Sequence, residues 1–358
     1  MQQKHYSTLT RYCKMSSQLG GLMSELTKYQ HNYGAFGLNI LSDMLLPELP
    51  VHASTDLNPA AVRIMASSHE GWPSLVANEH STPLLQMAAG DWRLELEGIG
   101  WFRAHAGENL SYERWDDSVS DRDLRTFLVT SGLAALLIQR GALVLQGTTL
   151  VRDGQAVMLL GTPASGKSTL ACCLQQDGWQ LLSSELSVVS EQGLVWPGPQ
   201  QLKLWHDSAA ALGLDWAQLP LVRRGLKRYA LLPPEANVIS QPVPLALIYS
   251  ISGAKRETEA GECEIETRRV ERQAVALLML RNNAYQPRVY RAMNQEANLF
   301  LQASALTRRV QSHRLTLPDG VKRMQEALEK VDLLAPGSLE AKPPAELEAS
   351  AEAKEEAP

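Results

Sequence analysis

The chain has few cysteines, and none of them are spaced for zinc binding or disulfide exchange. Its 358 residues include four cysteines, Cys13, Cys172, Cys173 and Cys263, and no C-x-x-C pair. We therefore predict small thiols that are buried or half-buried. Free thiols suit a reducing compartment.

Long apolar runs are also missing. The first 17 residues, MQQKHYSTLTRYCKMSS, contain no apolar core of the kind that a secretory signal requires. The run LAALLIQRGALVLQG is interrupted by Gln139 and Arg140, so it falls short of the ~18 apolar residues of a membrane span. These features predict a cytoplasmic protein with no membrane partner.

The charge has no strong excess of one sign. Lys and Arg number 34 and Asp and Glu number 39, which gives a net charge of −5 and no basic field for nucleic acid. Six Glu and two Lys lie between Glu340 and Pro358, so the rest of the chain is close to neutral. The Pro, Ala and Glu composition predicts a disordered acidic tail over residues 335–358.

The first 120 residues are expected to form a small, mostly β module behind a polar N-terminal segment. GAFGLNILSDMLLPELP alternates apolar and polar residues before its prolines, and WRLELEG alternates in the same way. IGWFRAHAGENLSYERW carries a Gly-Glu-Asn turn between two strand-like halves.

Residues 121–334 have the pattern of an α/β domain. Ser120 or Asp121 can cap a helix that runs to Gly141, and Arg152-Asp153-Gly154 joins the strands ALVLQGTTLV and QAVMLL. The run WQLLSSELSVV and the segment PLALIYSISG are predicted strands. Three helices are predicted later, in VERQAVALLMLRNN, VYRAMNQEANLFLQASALTRR and GVKRMQEALEKV.

The segment GTPASGKST is the strongest functional signal. It fits G-x-x-x-x-G-K-[ST], with a buried-type strand before it and a helix after it. Glycines let backbone N–H groups converge on phosphate oxygens, the lysine reaches the terminal phosphates, and the serine hydroxyl can ligate Mg²⁺. The predicted nucleotide-binding residues are Gly161, Thr162, Pro163, Ala164, Ser165, Gly166, Lys167, Ser168 and Thr169. LSGGQ-like and N-K-x-D motifs are absent, which disfavours a transporter ATPase and a GTPase.

With these motifs in view, the chain resembles the kinase domain of HPr kinase/phosphorylase and, more closely, the HPr-kinase-related proteins, in particular the group called HPr-related kinase B. The likeness rests on LVLQGTTLVRDGQAVMLLG, GTPASGKSTLA, GWQLLSSELSVV and LVWPGPQQLKL. The β module and the segment LRNNAYQPRVYRAMNQEANLFLQASAL are similar to parts of the same group. The resemblance implies an α/β P-loop kinase domain of HPr-kinase type behind the small β-rich module. It also implies ATP and Mg²⁺ as cofactors, a serine hydroxyl as acceptor, and a homo-oligomer.

The family pattern is not complete in this chain. Where the family has a His-Gly pair, this chain has Gln146-Gly147, and where it has two aspartates, this chain has Ser184-Glu185. By resemblance, the first aspartate accepts the hydroxyl proton and the second helps to hold Mg²⁺. Glu185 keeps a carboxylate for the metal, whereas the Ser184 hydroxyl does not titrate near neutral pH. Lys167, Glu185 and Ser184 are therefore the candidate catalytic positions, with Ser168 and Glu185 as metal ligands.

Two functions follow from this pattern. Loss of a general base typically costs about 10²–10⁴ in rate, whereas phosphoryl transfer depends mainly on positioning and charge neutralisation. The favoured function is a kinase that transfers the γ-phosphoryl group of ATP to a hydroxyl of an unidentified protein or small molecule. The alternative is a non-catalytic ATP-binding regulatory or interaction module.

Several other residues are weaker candidates. A basic cluster in VRRGLKRY can contact phosphate or form a solvated face. Two arginines in QPRVYR are candidate transition-state cations by analogy. His206 and Asp207 can supply a substitute base, or Asp207 can cap a helix. The tryptophans are expected in the core and in strand pairs. The basic cluster consists of Arg223, Arg224, Lys227 and Arg228, and the two arginines are Arg288 and Arg291. The tryptophans are Trp92, Trp101, Trp115, Trp196 and Trp205.

Overall fold

A computed structural model shows a mixed α/β protein. It describes residues 29–52, 61–226, 228–233, 237–251 and 265–335. The predicted N-terminal polar segment and the predicted tail beyond 335 lie outside these residues, as do Cys13 and Cys263. None of the described helices combines the length and the apolar character that a membrane crossing requires.

The first sheet is built from the N-terminal part of the chain. Its strands are β1 (His31–Ala35), β2 (Leu38–Ser42), β3 (Val62–Ala66), β4 (Leu85–Ala88), β5 (Asp91–Leu96), β6 (Gly100–His105) and β7 (Asn109–Arg114). They lie in the order β1-β2-β3-β7-β6-β5-β4, with β3 parallel to both β2 and β7. The β-rich character predicted for this region is correct.

Asp91 is the charged centre of this sheet. Its Oδ2 lies 2.6 Å from Arg103 Nη2 and 3.0 Å from Arg93 Nη2. Burial acts to raise the pKa of Asp91, but hydrogen bonds from the two guanidinium groups outweigh it, and the pKa lies below 3.8.

A helical segment joins the two parts of the chain. Helix α1 (Asp121–Phe127) continues through a π-helical turn (Leu128–Gly132) into α2 (Leu133–Gln139). Ser120 caps α1 in a capping box with Asp123. Gly141 follows in the left-handed region, with φ of 78°.

The second sheet lies at the centre of the molecule. Its strands are β9 (Gly147–Arg152), β10 (Gln155–Leu160), β11 (Gln180–Ser183), β16 (Val243–Ile251), β17 (Glu266–Arg269) and β18 (Gln311–Thr316), in the order β11-β9-β10-β16-β18-β17. Strands β10, β16 and β18 run parallel. Short strands pair beside it: β8 (Val144–Leu145) with β12 (Ser187–Val188), β13 (Leu194–Val195) with β16, and β14 (Leu202–Trp205) with β15 (Arg228–Leu231).

The remaining helices are α3 (Lys167–Gln176), α4 (His206–Ala211), α5 (Gln273–Asn282), α6 (Pro287–Ala292), α7 (Glu296–Arg309) and α8 (Val321–Leu328). Two sequence predictions need correction here. WQLLSSELSVV is not one strand, because the chain turns at Ser184-Glu185 and divides it between β11 and β12. VYRAMNQEANLFLQASALTRR is two helices, because Asn294 adopts φ of 57° and interrupts the helical backbone.

Alternate residues of the central strands face two different cores. In β10, Ala156, Met158 and Leu160 pack with the N-terminal sheet and α2, whereas Val157 and Leu159 pack with α3. Such double burial explains why these strands are apolar on both faces. Cys172 and Cys173 of α3 are buried, and burial raises the pKa of each thiol to about 11.

The two sheets also meet directly near Gly198. Phe36, between β1 and β2, donates its backbone N–H to the Pro197 carbonyl at 2.7 Å. A Cβ atom on Gly198 would overlap Ser183 Oγ and lie 2.6 Å from the Phe36 ring. The N-terminal sheet therefore packs against the segment that follows β13. Residues on both sides of the predicted domain boundary near residue 120 contribute to the same apolar core.

Candidate functional site

The predicted phosphate-binding segment connects the carboxyl end of β10 to the amino end of α3. Gly166 precedes the helix with φ of 92°, a conformation that favours glycine. A Cβ atom on Gly161 would lie 2.6 Å from Ser165 Oγ, so the first glycine is required by the close fold of the loop. This is the strand–loop–helix arrangement that the motif demands.

This loop forms one wall of a cavity of about 700 Å³. Every residue from Gly161 to Thr169 lines the cavity except Thr162, whose carbonyl instead accepts a hydrogen bond from Lys167 Nζ at 2.9 Å. Lys167 Nζ also donates to the Gly161 carbonyl at 2.6 Å. Burial lowers the pKa of Lys167, an effect that the nearby Glu185 charge opposes.

The facing wall carries a carboxylate between two cations. Lys203 Nζ of β14 donates to Glu185 Oε2 at 2.5 Å, and Arg228 Nη1 of β15 lies 3.8 Å from Glu185 Oε1. The Lys203 side chain is 6% exposed and that of Glu185 is 30% exposed. Lys167, Lys203 and Arg228 together give the cavity more positive than negative charge around this carboxylate, which favours an anionic ligand.

One nitrogen at this wall lacks a partner. Arg228 Nε is buried and has no hydrogen-bond partner among the described residues. A buried donor of this kind is normally satisfied, which makes Arg228 an exception among the residues that line the cavity. Of the described members of the predicted basic cluster, Arg228 is the one that lines the cavity.

Ser184 does not reach the cavity. It is 3% exposed, and its hydroxyl donates to the carbonyl oxygens of Gln201 and Pro199, at 2.5 Å and 3.1 Å. The Pro199 carbonyl also accepts the Ser184 backbone N–H. Of the three candidate catalytic positions, the structure brings Lys167 and Glu185 together and turns the Ser184 side chain into the protein.

Three non-glycine residues around the cavity have left-handed backbones. They are Ala164 in the loop, Glu185 on the facing wall and Gln286 at the start of α6, with φ of 64°, 65° and 38°. Such conformations cost roughly 1–3 kcal/mol each and concentrate at functional sites. Gln146 and Thr130, the latter from the π-helical turn, also line the cavity.

The other predicted cations lie elsewhere. Arg224 donates to the carbonyl oxygen of Gly98 at 2.8 Å and, through its backbone N–H, to Asp123 Oδ1 at 2.8 Å, so it attaches its loop to the N-terminal part. Arg223, Arg288 and Arg291 do not line the cavity, and Arg291 pairs with Glu296. Lys227 lies outside the described residues.

Trp205 and Asp207 lie at the junction of β14 and α4 and line the cavity. Trp205, predicted to be a core or strand-pair residue, pairs with Arg228 between β14 and β15, but it is 50% exposed and lines the cavity, with the Arg228 guanidinium 5.6 Å from its ring centroid. Asp207 also lines the cavity, with Oδ1 3.1 Å from His206 Nδ1. The predicted capping role of Asp207 is wrong, because Trp205 is the residue at the N-cap.

Sequence reasoning missed Lys203. Its one signal in the sequence is its place in LKLW, where the lysine stands between the buried Leu202 and Leu204. Trp205 is the exposed residue of this strand.

No protein-family model matches this chain, and no curated protein matches it either.

Proposed function

We propose that the protein is an ATP-dependent phosphotransferase of the P-loop type, which transfers the γ-phosphoryl group of ATP to a hydroxyl. The observation that carries the proposal is the cavity in which the loop at Gly161–Thr169 faces Glu185, Lys203 and Arg228. The resemblance to HPr-kinase-related proteins, and to the kinase B group among them, supports the same reaction and an HPr-kinase-type domain.

Phosphate binding is assigned to the loop. Its backbone N–H groups and the amino end of the ten-residue helix α3 present positive potential to phosphate oxygens. Lys167 exchanges its hydrogen bonds to the Gly161 and Thr162 carbonyls for phosphate oxygens, which its mobile ammonium group permits.

The residues present also fit Mg²⁺. Ser168 and Glu185 line the same cavity. Two protein oxygens are enough, because Mg²⁺ takes its remaining ligands from phosphates and water. When bound, the ion neutralises charge on the phosphate oxygens.

Lys203 and Arg228 are assigned to the transferred phosphoryl group. In the absence of ligand they neutralise Glu185. If Glu185 held the metal, Lys203 and Arg228 would be free to face the negative charge of the phosphoryl oxygens. Fixed cations in a shielded site are the main source of catalysis in this reaction.

One observation favours the second candidate, a nucleotide-binding module without transfer activity. The Ser184 hydroxyl is bound to two backbone carbonyls and does not line the cavity. The family's proton acceptor is therefore missing from its usual position, and transfer requires another group.

ATP binding and turnover separate the two candidates. We would measure ATP affinity by calorimetry and ADP formation with Mg²⁺ for the wild type, Lys167→Ala and Lys330→Ala, an exposed lysine just after α8 that does not line the cavity and serves as the control. Loss of a charged hydrogen bond costs about 1.5–3 kcal/mol, so Lys167→Ala should bind ATP roughly ten- to a hundredfold more weakly. Lysine-dependent binding without ADP formation would leave only the binding module.

A further inference from the structure

Since Ser184 points away, the site needs another proton acceptor. Among the described residues that line the cavity, the carboxylates are Glu185 and Asp207. Glu185 is engaged by Lys203 and Arg228, and its assigned task is to hold the metal. Asp207 has no lysine or arginine within salt-bridge distance in the described part of the chain and contacts His206 instead.

The remaining titratable groups at the cavity are poor bases. Burial raises the pKa of Tyr285, whose hydroxyl donates to Ser131 Oγ at 2.9 Å, so the phenol stays protonated. Lys167 donates to loop carbonyls, and Lys203 and Arg228 are cations that lie against Glu185. Of the titratable side chains that line the cavity, Asp207 is therefore the one left to accept a proton.

Asp207 lies where β14 passes into α4. It is the second residue after β14, four residues after Lys203, in the first turn of α4, and its side chain is fully exposed to solvent. Its neighbour His206 packs edge-on against Trp216, with ring centroids 4.3 Å apart, and His206 Nδ1 lies 3.1 Å from Asp207 Oδ1. The half-exposed indole of Trp205 forms an apolar wall next to it.

We propose that Asp207 is the general base of the transfer and that the acceptor hydroxyl lies between Asp207 and the phosphate loop, beside Trp205. The inference rests on the proposed function. As the acceptor oxygen forms its bond to the γ-phosphorus, the bond from that phosphorus to the bridging oxygen of ADP breaks. The hydroxyl proton moves to the Asp207 carboxylate and then to water, and ADP leaves with the electron pair of the broken bond.

The test uses water as the acceptor, so no natural substrate is needed. ADP formation and ATP affinity are measured for the wild type, Asp207→Asn, Asp207→Glu and Asp215→Asn. Asp215 is an exposed aspartate in the next loop that does not line the cavity, which makes it a matched control. Asp207→Asn should lower the turnover rate about 10²–10⁴-fold, as expected for loss of a general base.

The conservative and control variants define the outcome. Asp207→Glu should retain more turnover than Asp207→Asn, Asp215→Asn should match the wild type, and all four proteins should bind ATP alike. If Asp207→Asn turns over within twofold of an active wild type, the role of Asp207 is refuted while the proposed function stands. If the wild type binds ATP but forms no ADP, the proposed transfer fails, and the assignment of Asp207 fails with it.

Discussion

Removal of Lys203 should destabilise the protein through the carboxylate that it leaves behind. The substitution Lys203→Met keeps the length of the side-chain stem, so the packing of the buried residue changes little. Removing one partner of a buried ion pair costs about 3–5 kcal/mol. Glu185 is 30% exposed and retains Arg228 at 3.8 Å, so we expect a loss of about 2 kcal/mol. Total stabilities of about 5–15 kcal/mol make such a loss easy to measure.

A double-mutant cycle isolates the interaction. Glu185→Gln should cost more than Lys203→Met, because the ammonium left behind is only 6% exposed. With both substitutions together no charge of the pair is left unpaired, so the double variant should be at least about 1 kcal/mol more stable than the sum of the single losses predicts. Urea unfolding at neutral pH measures all four free energies of unfolding. Additivity within about 0.5 kcal/mol would show that the two side chains do not interact, and our account of the facing wall would be wrong.

Three further outcomes are expected. Gly198→Ala should lower the free energy of unfolding by about 2 kcal/mol or more in urea, because its Cβ has no room, whereas Gly71→Ala, with nothing within 4 Å, should change little. Equal effects of the two substitutions would contradict the close contact. Ser184→Asp should destabilise by about 1–3 kcal/mol and leave ADP formation no higher, because the carboxylate would face two carbonyl oxygens; increased turnover would refute that orientation. The lowered pKa of Asp91 means that its ionised carboxylate stabilises the folded protein above pH 3.8. This stability is lost as the pH falls through the lower pKa of the folded state, so the cost of Asp91→Asn in thermal unfolding should shrink in acid. A cost that is the same at pH 7 and pH 3 would count against it.

The parts of the fold that sequence predicted well are those set by local patterns. The Asp153-Gly154 turn has both residues at positive φ, and the capping box at Ser120 forms as its residue types suggest. The strand, loop and helix around Lys167 follow the same logic, since the glycine spacing, the buried strand and the helix are all encoded within 25 residues.

The errors arose where distant contacts decide the backbone. Glu185 adopts a left-handed backbone conformation within an apolar run. Its negative charge is balanced by Lys203 of β14 and Arg228 of β15, which are distant in sequence. Strand β18 was not predicted, because QSHRLT is mostly polar and the burial of Ser312 and His313 depends on distant parts of the fold. Trp205 lies in a strand pair as predicted, but its 50% exposure at the cavity could not be read from the sequence, because tryptophan is on average well buried.

Among the described residues, one apolar core joins the N-terminal sheet to the strand that leads to the phosphate loop. Ile40, Phe102 and Leu110 of the N-terminal sheet share it with Met158 and Leu160, the strand that ends at the phosphate loop. A fragment beginning at residue 121 would present the apolar side of β10 and α2 to water, and it should melt early or aggregate. Damage to the N-terminal sheet should therefore reduce the population of molecules able to bind a ligand, even though that sheet supplies no side chain to the cavity among the described residues.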